Sequence, residues 1–324
     1  MRESLKEQCE QFIANKDAIG SVFKWDDTHI ISACSMMLKS NHTAENTSKI
    51  AEAKKIVEHE TGVLSNFRGN VKIPVAMSLV ETVSPEEKMT KIKANYEKLR
   101  KHFSRTEYMA LVSMILADMI SETQVDDYAA RGKKIYEMMK REHPFLTSSE
   151  DSVFAVLMAF SEKDNNQMIE DMEHCYGILK KSFSDSNAVQ TVSQVLSLAS
   201  GTSEEKCARV VELHQGLLRA GKKYGKNYEL SVLAALSILP VNIKDVIGDI
   251  VEVDEFLSEK KGYGFFGMDK KTRLMHAAMI VSNDNDVSTA AITGTLAMLA
   301  AQQAAMCAVM ASCVAATTAA SSGA

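Results

Sequence analysis

Ile92-Lys-Ala-Asn-Tyr96-Glu-Lys-Leu99-Arg-Lys-His-Phe103, followed by Ser104-Arg-Thr-Glu107-Tyr108-Met-Ala110-Leu111-Val112-Ser-Met114-Ile115-Leu116-Ala117, decides the fold. It reads as an amphipathic helix, a tight turn and a second, more apolar helix. Tyr96 and Leu99 lie three apart and share a face of the first helix. The same arrangement recurs at Tyr136 with Met139 and at Tyr176 with Leu179. These residues are expected to pack one unit against the next rather than to line a ligand site.

Aromatic residues mark the recurrence along the chain. Phe23, Phe67, Phe103, Phe145, Phe183, Tyr224 and Phe266 each close a first helix, 36 to 44 residues apart. Self-similarity at such a period is the signature of stacked helical hairpins, in which no unit buries its apolar face alone. The expected fold is all-α: about seven hairpins of roughly 40 residues, stacked as an α-solenoid or an α/α toroid. Residues 1–286 form one repeat domain in this reading, and 287–324 an Ala-rich helical tail.

Composition agrees. In 324 residues, 46% are hydrophobic and only four are proline, which suits a large helical core. A net charge of −5 with no long basic run argues against nucleic acid as a partner. Six cysteines without a regular framework and a charged N-terminus, Met-Arg-Glu-Ser-Leu-Lys-Glu, point to a reduced, cytoplasmic setting.

Helix starts are written in capping chemistry, because the first N–H groups of each helix need acceptors. Ser84-Pro85-Glu86-Glu87 carries a capping Ser, a Pro at the first helical position and a Glu at the third. Ser104-x-x-Glu107, Thr147-x-x-Glu150 and Thr202-x-x-Glu205 fit the capping box.

The motifs of cofactor and metal chemistry fit poorly. Gly262-Tyr-Gly264-Phe-Phe-Gly267 has the dinucleotide spacing, but that site requires a strand before the loop and none is legible there. The glycines read instead as a helix-to-helix turn. Lys270, Lys271 and Arg273 at the next helix start leave room for an anion. His174 and Cys175 point about 100° apart on a helix, Cys207 and His214 make only two ligands, and Asn283-Asp284-Asn285-Asp286 lacks the glycine and final Glu of a calcium loop. No metal or cofactor is expected.

From Val287 to Ala324 there is no charged residue. Residues 288–317 are long enough to span a bilayer, but Gln302 and Gln303 sit in the middle, and no Trp, Tyr, Lys or Arg marks an interface. The favoured reading is a packed helical tail.

Several uncommon blocks carry a resemblance. Asn66-Phe67-Arg68-Gly69-Asn70, His143-Pro144-Phe145-Leu146-Thr147-Ser148-Ser149-Glu150-Asp151-Ser152, Gly264-Phe265-Phe266-Gly267 with Arg273-Leu274-Met275, and Ala301-Gln302-Gln303-Ala304-Ala305-Met306-Cys307-Ala308 are similar to the bacterial domain-of-unknown-function family numbered 4003. The resemblance runs over nearly the whole chain and implies no activity and no site residues.

Function is therefore read from the repeat. If the second helices line the inside of a curved stack, their N-termini gather on one rim. Arg68, Asn70, Arg105, Glu107, Ser149, Asn187, Gln190, Tyr228 and Arg273 are the candidate ligand-binding residues there, and Glu150, Asp151 and His276 the candidates for acid–base work. The leading expectation is a scaffold presenting a groove to a protein or peptide. The alternatives are an enzyme with its active site on that rim and a scaffold tethered to a membrane by residues 288–317.

Overall fold

The alternation of amphipathic and uniformly apolar stretches becomes helical hairpins in a computed structural model that describes residues 1–24, 26, 28–38, 43–264 and 267–293. Fourteen α-helices and no strand occur among the described residues. In chain order they are α1 (Glu3–Val22), α2 (Thr28–Cys34), α3 (Thr43–Glu60), α4 (Lys72–Val80), α5 (Pro85–Leu99), α6 (Glu107–Met119) and α7 (Val125–Glu142). Then follow α8 (Asp151–Met158), α9 (Asn165–Leu179), α10 (Ser186–Leu198), α11 (Ser203–Arg219), α12 (Leu230–Ile238), α13 (Ile243–Ser258) and α14 (Lys270–Thr293).

Two compact units are built from them. Among the described residues, one comprises residues 11–160 and the other residues 1–10 with 161–293, so that α1 contributes to both. In the 11–160 unit, α3/α4, α5/α6 and α7/α8 are hairpins. Their first helices α3, α5 and α7 are neighbours in one layer, and α2, α4, α6 and α8 in a second. The other unit repeats the scheme, with hairpins α9/α10, α11/α12 and α13/α14, one layer of α9, α11 and α13, and another of α10, α12 and α14. Its N-terminal segment is tied to the last hairpin: Arg2 pairs with Asp249 (2.7 Å) and Asp284 (2.9 Å), and Asn283 donates to Gln8 (3.1 Å).

The two helices of a hairpin differ because their environments do. In α4, α6, α8 and α12 a continuous run is buried on every side, as in Met109–Ala117 and Leu230–Ser237. Helices apolar all round are buried helices. Serines of these helices and of α10 stay satisfied by bonding back one turn: the Oγ of Ser78, Ser113, Ser193, Ser197 and Ser237 each donates to the carbonyl three residues before.

The last carbonyls of these helices need donors too, and basic residues of first helices supply them. Lys91 caps Ala117, Arg131 caps Ala159 (3.0 Å), and Arg209 caps Ser237, Leu239 and Val241 (2.7–3.0 Å).

The recurring aromatics pack between repeats as expected. Phe67 meets Tyr96 edge-on at 5.1 Å, and Phe103 meets Tyr136 at 6.1 Å. In the other unit Phe183 meets His214 at 5.2 Å. Phe145 departs from the series and is 99% exposed. The closing aromatic follows the last long apolar residue by one turn, Leu99 to Phe103 and Leu179 to Phe183. After Met139 that place falls on His143, with Phe145 beyond Pro144. Phe266 lies outside the described residues.

Two of the three expected capping boxes form differently. Thr202 and Glu205 make theirs. At α6 the cap is Thr106, which accepts from the Met109 N–H, and at α8 the first helical residue is Asp151. Thr147 is buried and its hydroxyl turns to the Met139 carbonyl instead (3.3 Å). Glu107 and Glu150 are thereby released from capping.

Between α13 and α14 the glycines make the expected turn. Gly262 has φ +90°, and a Cβ at Gly267 would stand 2.2 Å from the Gly262 carbonyl oxygen. A helix precedes this turn, which rules out the strand-loop-helix setting of a dinucleotide site. No helix among the described residues is long and apolar enough to cross a membrane. The tail reading falls, from residue 294 on, outside the described residues.

Candidate functional site

In the 11–160 unit α3, α5 and α7 run side by side, so the connections that follow them meet at one end. These connections hold the polar residues read as a rim. Between them lies an open groove of about 470 Å³. Val63, Leu64, Asn66 and Arg68 come to it from the α3–α4 connection, Thr106, Glu107 and Tyr108 from the start of α6, and Ser149 from the α7–α8 connection.

Each wall is fixed by its own chemistry. Gly69, at φ +62°, lets the chain turn between α3 and α4. The Arg68 guanidinium donates to the carbonyls of Glu58 (2.6 Å) and Thr61 (2.9 Å) and stands 3.8 Å from the Glu58 carboxylate, so it braces the loop. Asn66 donates to the Tyr96 hydroxyl (2.5 Å), which ties the loop to α5. With polar groups thus engaged inward, Val63 and Leu64 project outward, 84% and 100% exposed.

The opposite wall is acidic. Glu107 opens α6 and is half-buried, and it has no hydrogen-bond or ion-pair partner among the described residues. Burial raises its pKa. Burial first, and then the charges of Glu150, Glu107 and Asp151, push the Tyr108 phenol up to about 12. Burial, followed by the charge of Asp151, raises the Glu150 carboxyl, and the nearby Tyr108 hydroxyl offsets this in part. Asp151 is 4% exposed and accepts the Ser148 N–H at 2.7 Å, closing the turn before α8.

A stability consequence follows for Glu150. Its raised pKa means that the folded protein holds the proton more tightly than the unfolded chain, so ionisation above the ordinary carboxylate range costs stability. Glu150→Gln is expected to raise Tm at pH 7 by about 1–3 °C, with the two melting points converging near about pH 3.5. A lower Tm for the variant at pH 7 would show that the fold uses this carboxylate.

Of the sequence candidates, Arg68, Glu107 and Ser149 line the groove, with Glu150 and Asp151 behind it. Asn70 lies in the turn before α4, and Arg105 is exposed; neither lines it. Val63 and Leu64 were not among the candidates.

The other unit holds the remaining candidates. Asn187 is exposed on the first turn of α10 and Gln190 is 2% exposed. Tyr228 is half-buried and its carbonyl accepts from Ser231 (2.8 Å). Arg273 is held by the buried Asp254 carboxylate (2.7 and 3.4 Å), which Lys222 also reaches (2.8 Å). His276 is 0% exposed, with Nδ1 2.8 Å from the Tyr263 hydroxyl. The start of α14 is already capped by Asp269, whose carboxylate accepts from the N–H groups of Lys271 and Thr272 where an anion would sit.

The chain is similar to an uncharacterized protein of Bacillus subtilis (strain 168), YeaA, at 24% identity over 247 residues, covering 74% of each chain. No solved structure matches it. The family described as "Protein of unknown function (DUF4003)" matches residues 15–313, and the chain belongs to that family.

Proposed function

We propose that the protein is a binding scaffold whose groove in the 11–160 unit receives a protein or peptide segment. The observation that carries this reading is the placement of exposed apolar side chains. Val63 and Leu64 project from the α3–α4 connection and Phe145, 99% exposed, from the α7–α8 connection at the same end of the layer. Isolated exposed apolar residues are ordinary, but an adjacent pair on the wall of a polar-rimmed groove, Val63 and Leu64, marks an interaction surface. Hairpin stacks commonly recognise partners in this way.

A photo-crosslinking residue placed at Leu64 or at Phe145 should capture the same partner in cells, while one at exposed Lys134 on the outer face of α7 should not. Equal capture at all three positions, or none at the first two, removes the reading. A second reading, an acid–base site, is favoured by Glu107 and Glu150, two part-buried carboxyls at the start of α6 and before α8 that burial raises.

A further inference from the structure

Resting on the scaffold reading, we infer that the groove is built for a basic, apolar segment: a Lys or Arg side chain against Glu107 with a large apolar neighbour on Val63 and Leu64. Charge complementarity carries the choice. Among the described groove residues Arg68 is the one basic side chain, and it is occupied by the Glu58 and Thr61 carbonyls and the Glu58 carboxylate. Glu107 on the facing wall is partnerless and half-buried, with Glu150 and Asp151 behind it.

Arg68 is thus turned to its own loop, and Glu107 is the ionic side chain of the lining that has neither a hydrogen-bond nor an ion-pair partner among the described residues. A cation entering beside Glu107 regains for that carboxylate part of the solvation that burial removes. An anionic segment would meet three carboxylates. The apolar requirement comes from the other wall, where Leu64 is fully exposed and Val63 nearly so. A volume of about 470 Å³ suits a few side chains, not a folded domain. The occupant is therefore an extended segment or a projecting turn.

The test uses the full chain and three fluorescein-labelled synthetic peptides of equal length, read by fluorescence anisotropy at physiological salt. One mixes Leu with Lys, one replaces each Lys by Glu, and one replaces each Leu by Ser. The Leu/Lys peptide is expected to bind at least about tenfold tighter than either of the others. Glu107→Gln should weaken it roughly fivefold, the scale of a partly exposed ion pair. Leu64→Ser should weaken both Leu-containing peptides.

If Leu/Glu binds as well as Leu/Lys, or Glu107→Gln changes nothing, the basic preference is wrong. The scaffold reading survives that result, provided Leu64→Ser still weakens binding. If Ser/Lys binds as well as Leu/Lys, the attraction is only that of a net-acidic chain for cations, and the inference fails. If no peptide responds to Leu64→Ser, or none binds, the groove reading falls with it.

Discussion

Asp171→Leu is expected to destabilise the protein by about 3–5 kcal/mol, measured by denaturant unfolding at neutral pH. Asp171 on α9 is the hub joining that helix to α11. It accepts Lys206 Nζ at 2.6 and 2.9 Å, Lys163 Nζ at 2.7 Å and Ser203 Oγ at 2.6 Å. The Lys206 side chain is only 5% exposed, so removing the carboxylate leaves an ammonium buried without its counter-charge. That orphaned charge, more than the lost attraction, sets the size of the effect. Adding Lys206→Met to Asp171→Leu should therefore recover most of the loss.

The pH dependence has a definite sign. Burial would raise the Asp171 carboxyl, but the hydrogen bonds from Lys163, Lys206 and Ser203 outweigh it and hold the pKa below the ordinary 3.8. The stabilisation is then complete above that value and lost as pH falls through the lower folded one. Wild-type and Asp171→Leu proteins should converge in stability under strongly acid conditions. A single variant as stable as wild type at pH 7 would mean that the network contributes no net stability.

Gly132→Ala is expected to destabilise by about 1–2 kcal/mol, and Gly132→Leu by about 3 or more. The sign of the alanine change is the informative part. In the middle of an ordinary helix, Gly→Ala stabilises by about 0.5–1 kcal/mol. Gly132 is in the middle of α7, but a Cβ there would stand 2.9 Å from the Val156 Cα, 3.1 Å from Val156 Cγ2 and 3.2 Å from the Ala155 carbonyl oxygen of α8. The obstruction includes backbone, which no rotamer change relieves, so the two helices must part. Thermal melts of the two variants decide it: a more stable Gly132→Ala protein would show that α7 and α8 separate freely. Because the α7–α8 connection supplies Ser149 to the groove, the same variants should also weaken peptide binding there.

The hairpin architecture was legible because the two helices of a pair have different environments. The Met109–Ala117 run is apolar on every side, whereas Ile92, Tyr96 and Leu99 form a stripe among charges. What escaped the sequence are interactions one repeat apart. Asp171 and Lys206 are 35 residues apart, and neither lies in a recognisable motif. The basic caps Lys91, Arg131 and Arg209 did recur in the sequence, and their position on the first helices α5, α7 and α11 was the available signal.

At the groove, residue types drew attention to Arg68, Glu107, Ser149, Glu150 and Asp151, since polar turns at helix starts are easy to see. Val63 and Leu64 were missed because an apolar pair after a helix is normally buried. Only the inward engagement of Arg68 and Asn66 shows that this pair faces out. Phe145 was misassigned for a related reason: spacing counted from Met139 selects His143, and Pro144 carries Phe145 past the packing position.

Synthesis on the ribosome treats the two units differently. Residues 11–160 are consecutive, so each hairpin can dock on its predecessor as it emerges, through contacts that are mostly one repeat apart. The first ten residues instead belong with α13 and α14, through bonds that join positions 247 and 275 apart in the chain. That segment must wait, with Leu5 and Cys9 uncovered, until nearly the last described helix has been made. Closing so long a loop makes this the slow, late step of assembly, and it puts the earliest-made residues at the greatest risk of mispairing.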